Sequence, residues 1–239
     1  MKKTILTSMI AVAISGAAFA QGTVNWSSIS FANFTAQTNS TLQSAIFGNG
    51  SSTGNGAIGN TAGAATTGFF YELLYKTQTA FGVAASQPTT LAALQTWSDV
   101  GLGATNSNTA GRVTVTGGGA AAVIPWANGV TNNIMMVGWS ANLGTTWAAA
   151  LANLQNSSYL TALTAPGYFG TSVVGYISPS TSTTSGNPAF GASAQAYGVP
   201  IQSLNTQLYI VGVTATPEPG TMALAALGGA SLLLFRRRK

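Results

Sequence analysis

No cysteine and no histidine occur among the 239 residues, and only three residues are acidic. The first two absences remove thiolate nucleophiles, disulfide staples, the usual zinc ligands and the one side chain that titrates near neutrality. The shortage of acids leaves Glu72 and Asp99 as the only carboxylates between Gln21 and Thr216. Cations are as sparse there. The net charge of +5 sits at the ends, on Lys2 and Lys3 and on Arg236, Arg237, Arg238 and Lys239 less Glu218, while Lys76 and Arg112 cancel Glu72 and Asp99 in the long middle. A neutral middle has almost no cations to exchange for condensed counterions, so no nucleic-acid partner is expected.

What is present is apolar mass and neutral polar surface. Five Trp, ten Phe and seven Tyr supply buried area that disordered chains lack. About 195 residues between the ends suffice for one ordinary core without staples. The remainder is mostly Ser, Thr, Asn, Gln and Gly, residues suited to turns and solvent-facing strand positions.

The stretches GFFYELLYK, GRVTVT, NNIMMVGWS, GTSVVGYIS and NTQLYIVGV are rich in β-branched and aromatic residues and read as strands. In GRVTVT, Val113 and Val115 alternate inward against Thr114 and Thr116. Early in the chain, Val24 and Trp26 share one parity and Ile29 and Phe31 the other, so the register changes near Ser27-Ser28, as at a sheet edge or corner. Two short helices fit between strands, Thr89 to Trp97 and Thr145 to Gln155, and are expected to cap a β core without forming a layer. The Gly/Asn-rich residues 48–68 read as a long loop or hairpin tip. The expected fold is all-β, an antiparallel sandwich or jelly roll spanning 21–214.

The ends read as an address. Lys2 and Lys3, the apolar run Ile5 to Ile14 and the A-x-A site Ala18-Phe19-Ala20 form a secretory signal peptide over 1–20. At the other end, Thr221 to Phe235 lacks charge and reaches about 22 Å as a helix, short against a hydrocarbon core of about 30 Å. Arg236, Arg237, Arg238 and Lys239 would halt it and stay cytoplasmic. Before it, Pro217-Glu218-Pro219 is held extended by its prolines, the backbone form that a processing enzyme needs.

Pro-Glu-Pro, a brief apolar span with Gly228 and Gly229, and a terminal Arg cluster together resemble the PEP-CTERM sorting signal of Gram-negative bacteria, here over 215–239. The resemblance implies signal peptidase and a membrane-embedded exosortase as partners, a membrane-anchored intermediate, and delivery to the cell surface or extracellular matrix. The family more often has Val where Thr216 stands. The middle also resembles exported PEP-CTERM proteins typical of the Verrucomicrobia, through Gln21 to Val24, Leu74-Tyr75, Val137 to Ser140 and Gly144 to Trp147. That likeness implies a β-sandwich with no assigned activity.

Chemistry in the middle has few carriers. Glu72 and Asp99 could serve a polysaccharide hydrolase if they met across a groove about 5 to 9 Å wide; the simpler reading has Glu72 pairing with Lys76 and Asp99 closing a short helix. Lys76 could activate a serine if buried. Asp99 with Asn and carbonyl oxygens could hold calcium, but neither arrangement has a supporting motif and no cofactor or metal is expected. Trp26, Trp97, Trp126, Trp139 and Trp147 could stack on sugars from an exposed face, although at this density core positions are favoured. Asn25, Asn33, Asn39, Asn49 and Asn156 begin Asn-x-Ser/Thr sequons. The leading expectation is a non-enzymatic exported surface or matrix protein; a carbohydrate-binding sandwich and a hydrolase are the alternatives.

Overall fold

The computed structural model describes residues 21–27, 34–42, 57–60, 68–80, 82–107, 111–202 and 205–211. The signal peptide over 1–20, the sorting motif, the apolar span 221–235 and the cation cluster lie outside them. Among the described residues no helix is long and apolar enough to cross a membrane.

The described chain is mostly β. Its strands are β1 (Gly22–Trp26), β2 (Thr35–Leu42), β3 (Ala57–Asn60), β4 (Phe69–Thr77), β5 (Ser98–Asn106), β6 (Val113–Val115), β7 (Gly119–Ile124), β8 (Asn132–Ser140), β9 (Gly167–Thr171), β10 (Gly175–Ile177), β11 (Asn187–Pro188), β12 (Gly198–Val199) and β13 (Asn205–Val211). The helices are α1 (Leu91–Leu94), α2 (Trp147–Leu154) and α3 (Ser157–Thr161).

β8 organises the larger sheet. All nine of its residues are buried, whereas a strand with one wet face alternates. It pairs with β4 along its whole length, from Thr77 opposite Asn132 to Phe69 opposite Ser140. Its other side carries β9 at Val137 to Trp139 and β10 at Asn132 to Ile134. GTSVVGYIS is therefore two strands, contrary to expectation. The break is specific: the Ser172 N–H donates to the Met136 carbonyl at 2.8 Å, and the Met136 N–H donates to Ser172 Oγ at 2.9 Å. A side-chain oxygen thus replaces a ladder carbonyl and lets the chain bend.

Pleating sends Ile134 and Met136 to one face of β8 and Met135, Val137 and Trp139 to the other. The first face meets a small sheet in the order β11-β1-β7, where Val24, Trp26, Ala122 and Ile124 close a core with Tyr71, Leu73 and Leu208. β1 is thus the central strand of its sheet, not an edge. Its register against β7 shifts between Val24 and Trp26, slightly earlier than the parity change suggests.

The second face is covered by helices. Leu94 of α1, Leu143, and Trp147, Ala150 and Leu154 of α2 pack with Leu74, Met135, Val137, Trp139 and Phe169. The helices form a layer, where caps were expected, because β8 leaves no wet face. Both start later than expected, at Leu91 and Trp147, where Thr90 and Thr146 accept from the N–H groups of Ala93 and Ala149, and α1 already ends at Leu94. A third helix, α3, is capped by Asn156.

Two pairings depart from the antiparallel expectation. β13 runs parallel to β2, and β11 parallel to β1. The Gln207 side-chain amide donates to Gln37 Oε1 at 3.0 Å across the first of these. Within the Gly/Asn-rich stretch, Ala57–Asn60 is a strand on β2, where a loop was expected.

Trp139 stacks on Phe70 at 6.1 Å, meets Trp147 at 5.7 Å and donates from Nε1 to the Gly144 carbonyl at 2.8 Å. Trp139→Ala should lower unfolding free energy by about 3–5 kcal/mol in urea titrations, with Trp139→Phe costing less.

Candidate functional site

Titratable groups are rare enough that the meeting of any two is informative. Glu72 lies in β4, on the face shared by Phe70 and Leu74 and opposite Val137 of β8. Asp99 lies in β5, not at a helix end as expected, since α1 stops at Leu94. Glu72 pairs with Gly103 and Leu74 with Asp99, so β5 carries extra residues between these partners. Gly101 turns that bulge with φ +79°, and its N–H donates to Asp99 Oδ1 at 2.7 Å. The bulge brings Asp99 back toward Glu72, and the two carboxyl side chains are hydrogen-bonded.

Glycine at 103 makes room for this pair. A Cβ there would stand 3.3 Å from Glu72 Oε2 and 3.0 Å from Thr116 Oγ1. The Gly103 carbonyl also accepts from Trp26 Nε1 at 3.1 Å and from the Thr116 N–H at 3.1 Å. The carboxyl pair therefore stands beside the point where the small sheet is tied to the large one.

Burial, then the negative charge of Asp99, then the hydrogen bond to it push the Glu72 carboxyl up from its ordinary 4.5 to about 8. The raised value favours the neutral form of Glu72. The expected Glu72–Lys76 ion pair is not formed, because Lys76 Nζ donates to Thr96 Oγ1 at 3.0 Å. The Thr96 hydroxyl in turn donates to the Ala93 carbonyl at 2.7 Å, so Lys76 sits beside a hydroxyl already committed as a donor.

The two acids singled out in the sequence are thus brought together on adjacent strands. Among the described residues no group of three or more acids, histidines or cysteines could hold a metal ion.

All five tryptophans are buried. Trp126 stacks on Tyr75 at 5.0 Å, and Trp26 meets Phe190 at 5.6 Å, so none contributes an open stacking platform. Of the sequons, Asn33 and Asn49 lie outside the described residues and the Asn39 side chain is likewise not described. The Asn25 side-chain oxygen accepts from the Ser27 hydroxyl at 2.6 Å, and that of Asn156 caps α3.

The body thus offers one carboxyl pair and a packed aromatic core, and the remaining functional signal is in the tail. Residues 215–239 match the PEP-CTERM protein-sorting motif. The match indicates an exported protein that an exosortase sorts. It covers Pro217, Glu218 and Pro219, the apolar span and the terminal cations. No curated protein and no solved structure matches the chain.

Because folded Glu72 holds its proton to about pH 8 and an unfolded one only to about 4.5, the folded state binds more protons between those values. Stability should then be greatest at the acid end of that window and decline as pH rises through it. Denaturant midpoints measured across the window check the slope, and Glu72→Gln should flatten it.

Proposed function

We propose that this chain is a non-enzymatic surface or matrix protein. Its signal peptide starts export, its apolar tail holds it in the inner membrane, and an exosortase acting at Pro217-Glu218-Pro219 passes it to the cell surface or extracellular matrix of a Gram-negative bacterium. The observation that carries this reading is the sorting motif at 215–239. The body supports it by what its groups are engaged in. Its two acids bind each other, and its tryptophans fill the cores.

A mature protein of this kind meets its surroundings through neutral hydrogen-bonding groups. The described body carries four charged side chains, Glu72, Lys76, Asp99 and Arg112, and its exposed positions are largely Ser, Thr, Asn, Gln and Gly. Such a surface suits contact with hydrated polysaccharide, and it does not depend on ion pairing.

The tail is tested in the native host. Replacing Pro217, Glu218 and Pro219 together by alanine should leave the protein in the membrane fraction at its unprocessed mass; normal release would refute sorting through this tripeptide. Replacing Arg236, Arg237 and Arg238 by serine should weaken retention of the intermediate, read by alkaline extraction of membranes.

A further inference from the structure

The start of β1 carries a consequence for the mature N-terminus that rests on the export reading above. Cleavage after Ala20 leaves Gln21 as the first residue. Gln21 is exposed, and the sheet begins at the next residue. Gly22 pairs with Ile124 and donates its N–H to the Trp126 carbonyl at 2.9 Å. A Cβ on Gly22 would collide with the Pro179 ring, so this residue is clamped between a proline and a backbone carbonyl. Only one residue, Gln21, then projects from the fold with a free amine and a free side chain.

We propose that Gln21 is a modification site, where the mature chain closes to an N-terminal pyroglutamate. The α-amino nitrogen attacks Cδ of the residue's own carboxamide. A C–N bond forms, the bond from Cδ to Nε2 breaks, the amine proton passes to the departing nitrogen, and ammonia leaves. No oxidant, reductant or cofactor takes part. The ring that forms has five members, and closure leaves untouched the Gly22 N–H that enters the sheet.

The fold gives this closure a purpose. β1 is the central strand of the β11-β1-β7 sheet, with Val24 and Trp26 fully buried. Thr23 exchanges backbone hydrogen bonds with Ser180 at 2.9 Å in both directions, and its hydroxyl donates to the Ser182 carbonyl at 2.6 Å. An aminopeptidase removing three residues would strip every one of these bonds and expose Val24. A lactam has no free amine for such an enzyme to grip.

The experiment uses protein secreted by the host into fresh medium, quenched at once in acid and mapped by mass spectrometry. The N-terminal peptide should begin at residue 21 and be lighter than the linear form by one ammonia. Stepwise amine-end sequencing should fail until a pyroglutamyl aminopeptidase has acted. Gln21→Ala should restore a sequenceable end and lose residues when incubated with a broad-specificity aminopeptidase, while the wild-type protein stays intact. A linear Gln21 with a free amine would overturn the proposal with the export reading standing. An N-terminus at another residue would overturn the cleavage site and the proposal together, and the mass tells these outcomes apart.

Discussion

A strand with nine consecutive buried residues cannot lie on the surface of a two-layer protein. β8 carries Ile134 and Met136 on one face and Met135, Val137 and Trp139 on the other, and exposing either row would forfeit on the order of 2 kcal/mol for each large side chain. Two coverings follow from that constraint. The small sheet around β1 closes one face, and α1 and α2 close the other. Near the ends of β8, Asn133 Oδ1 accepts from the Ala85 N–H at 2.8 Å and Ser140 Oγ accepts from the Tyr168 N–H at 2.7 Å, while Asn132 Oδ1 is buried without a hydrogen-bond partner. The same strand therefore sets both the depth of the core and the places where the chain can leave it.

The scarcity of charge is handled in the same local way. Glu72 would be costly as a carboxylate beside Val137 and Leu74, and burial together with the Asp99 charge raises its pKa so that the neutral form is favoured. That solution needs a bulge in β5, a glycine at 103 to leave room and a glycine at 101 to make the turn. The Gly103 carbonyl then receives Trp26 from the opposite sheet. Strand irregularity, an acid with a raised pKa and the joining of two sheets thus meet at one place. The signal for sorting lies apart from them, at 215–239.

Much of this was legible in the residues. Phe69–Thr77, Asn132–Ser140 and Asn205–Val211 announce themselves as strands through β-branched and aromatic density, and α1 and α2 fall inside the expected Thr89 to Trp97 and Thr145 to Gln155. β5 and β7 were harder to see, because SDVGLGATN and GAAAVI carry glycine and alanine where strand signals are weak. Their assignment comes from neighbours: Leu102 and Ala104 are inward only because β4 holds that register. The break at Ser172 was hidden for a different reason, since a serine that replaces a ladder carbonyl looks like any other serine in a strand.

The order of proline, apolar length and charge at the C-terminal end was enough by itself to mark the sorting motif at 215–239 and hence export, because such a signal is a short contiguous segment whose physics is local. Composition alone likewise determined that the middle folds around aromatics and that histidine and cysteine chemistry is absent. Only the tertiary structure decided that Glu72 meets Asp99 and not Lys76, that helices form a layer, and that β1 is central. Those outcomes depend on contacts between residues far apart in the chain, and such contacts are set by which faces the packed strands leave uncovered.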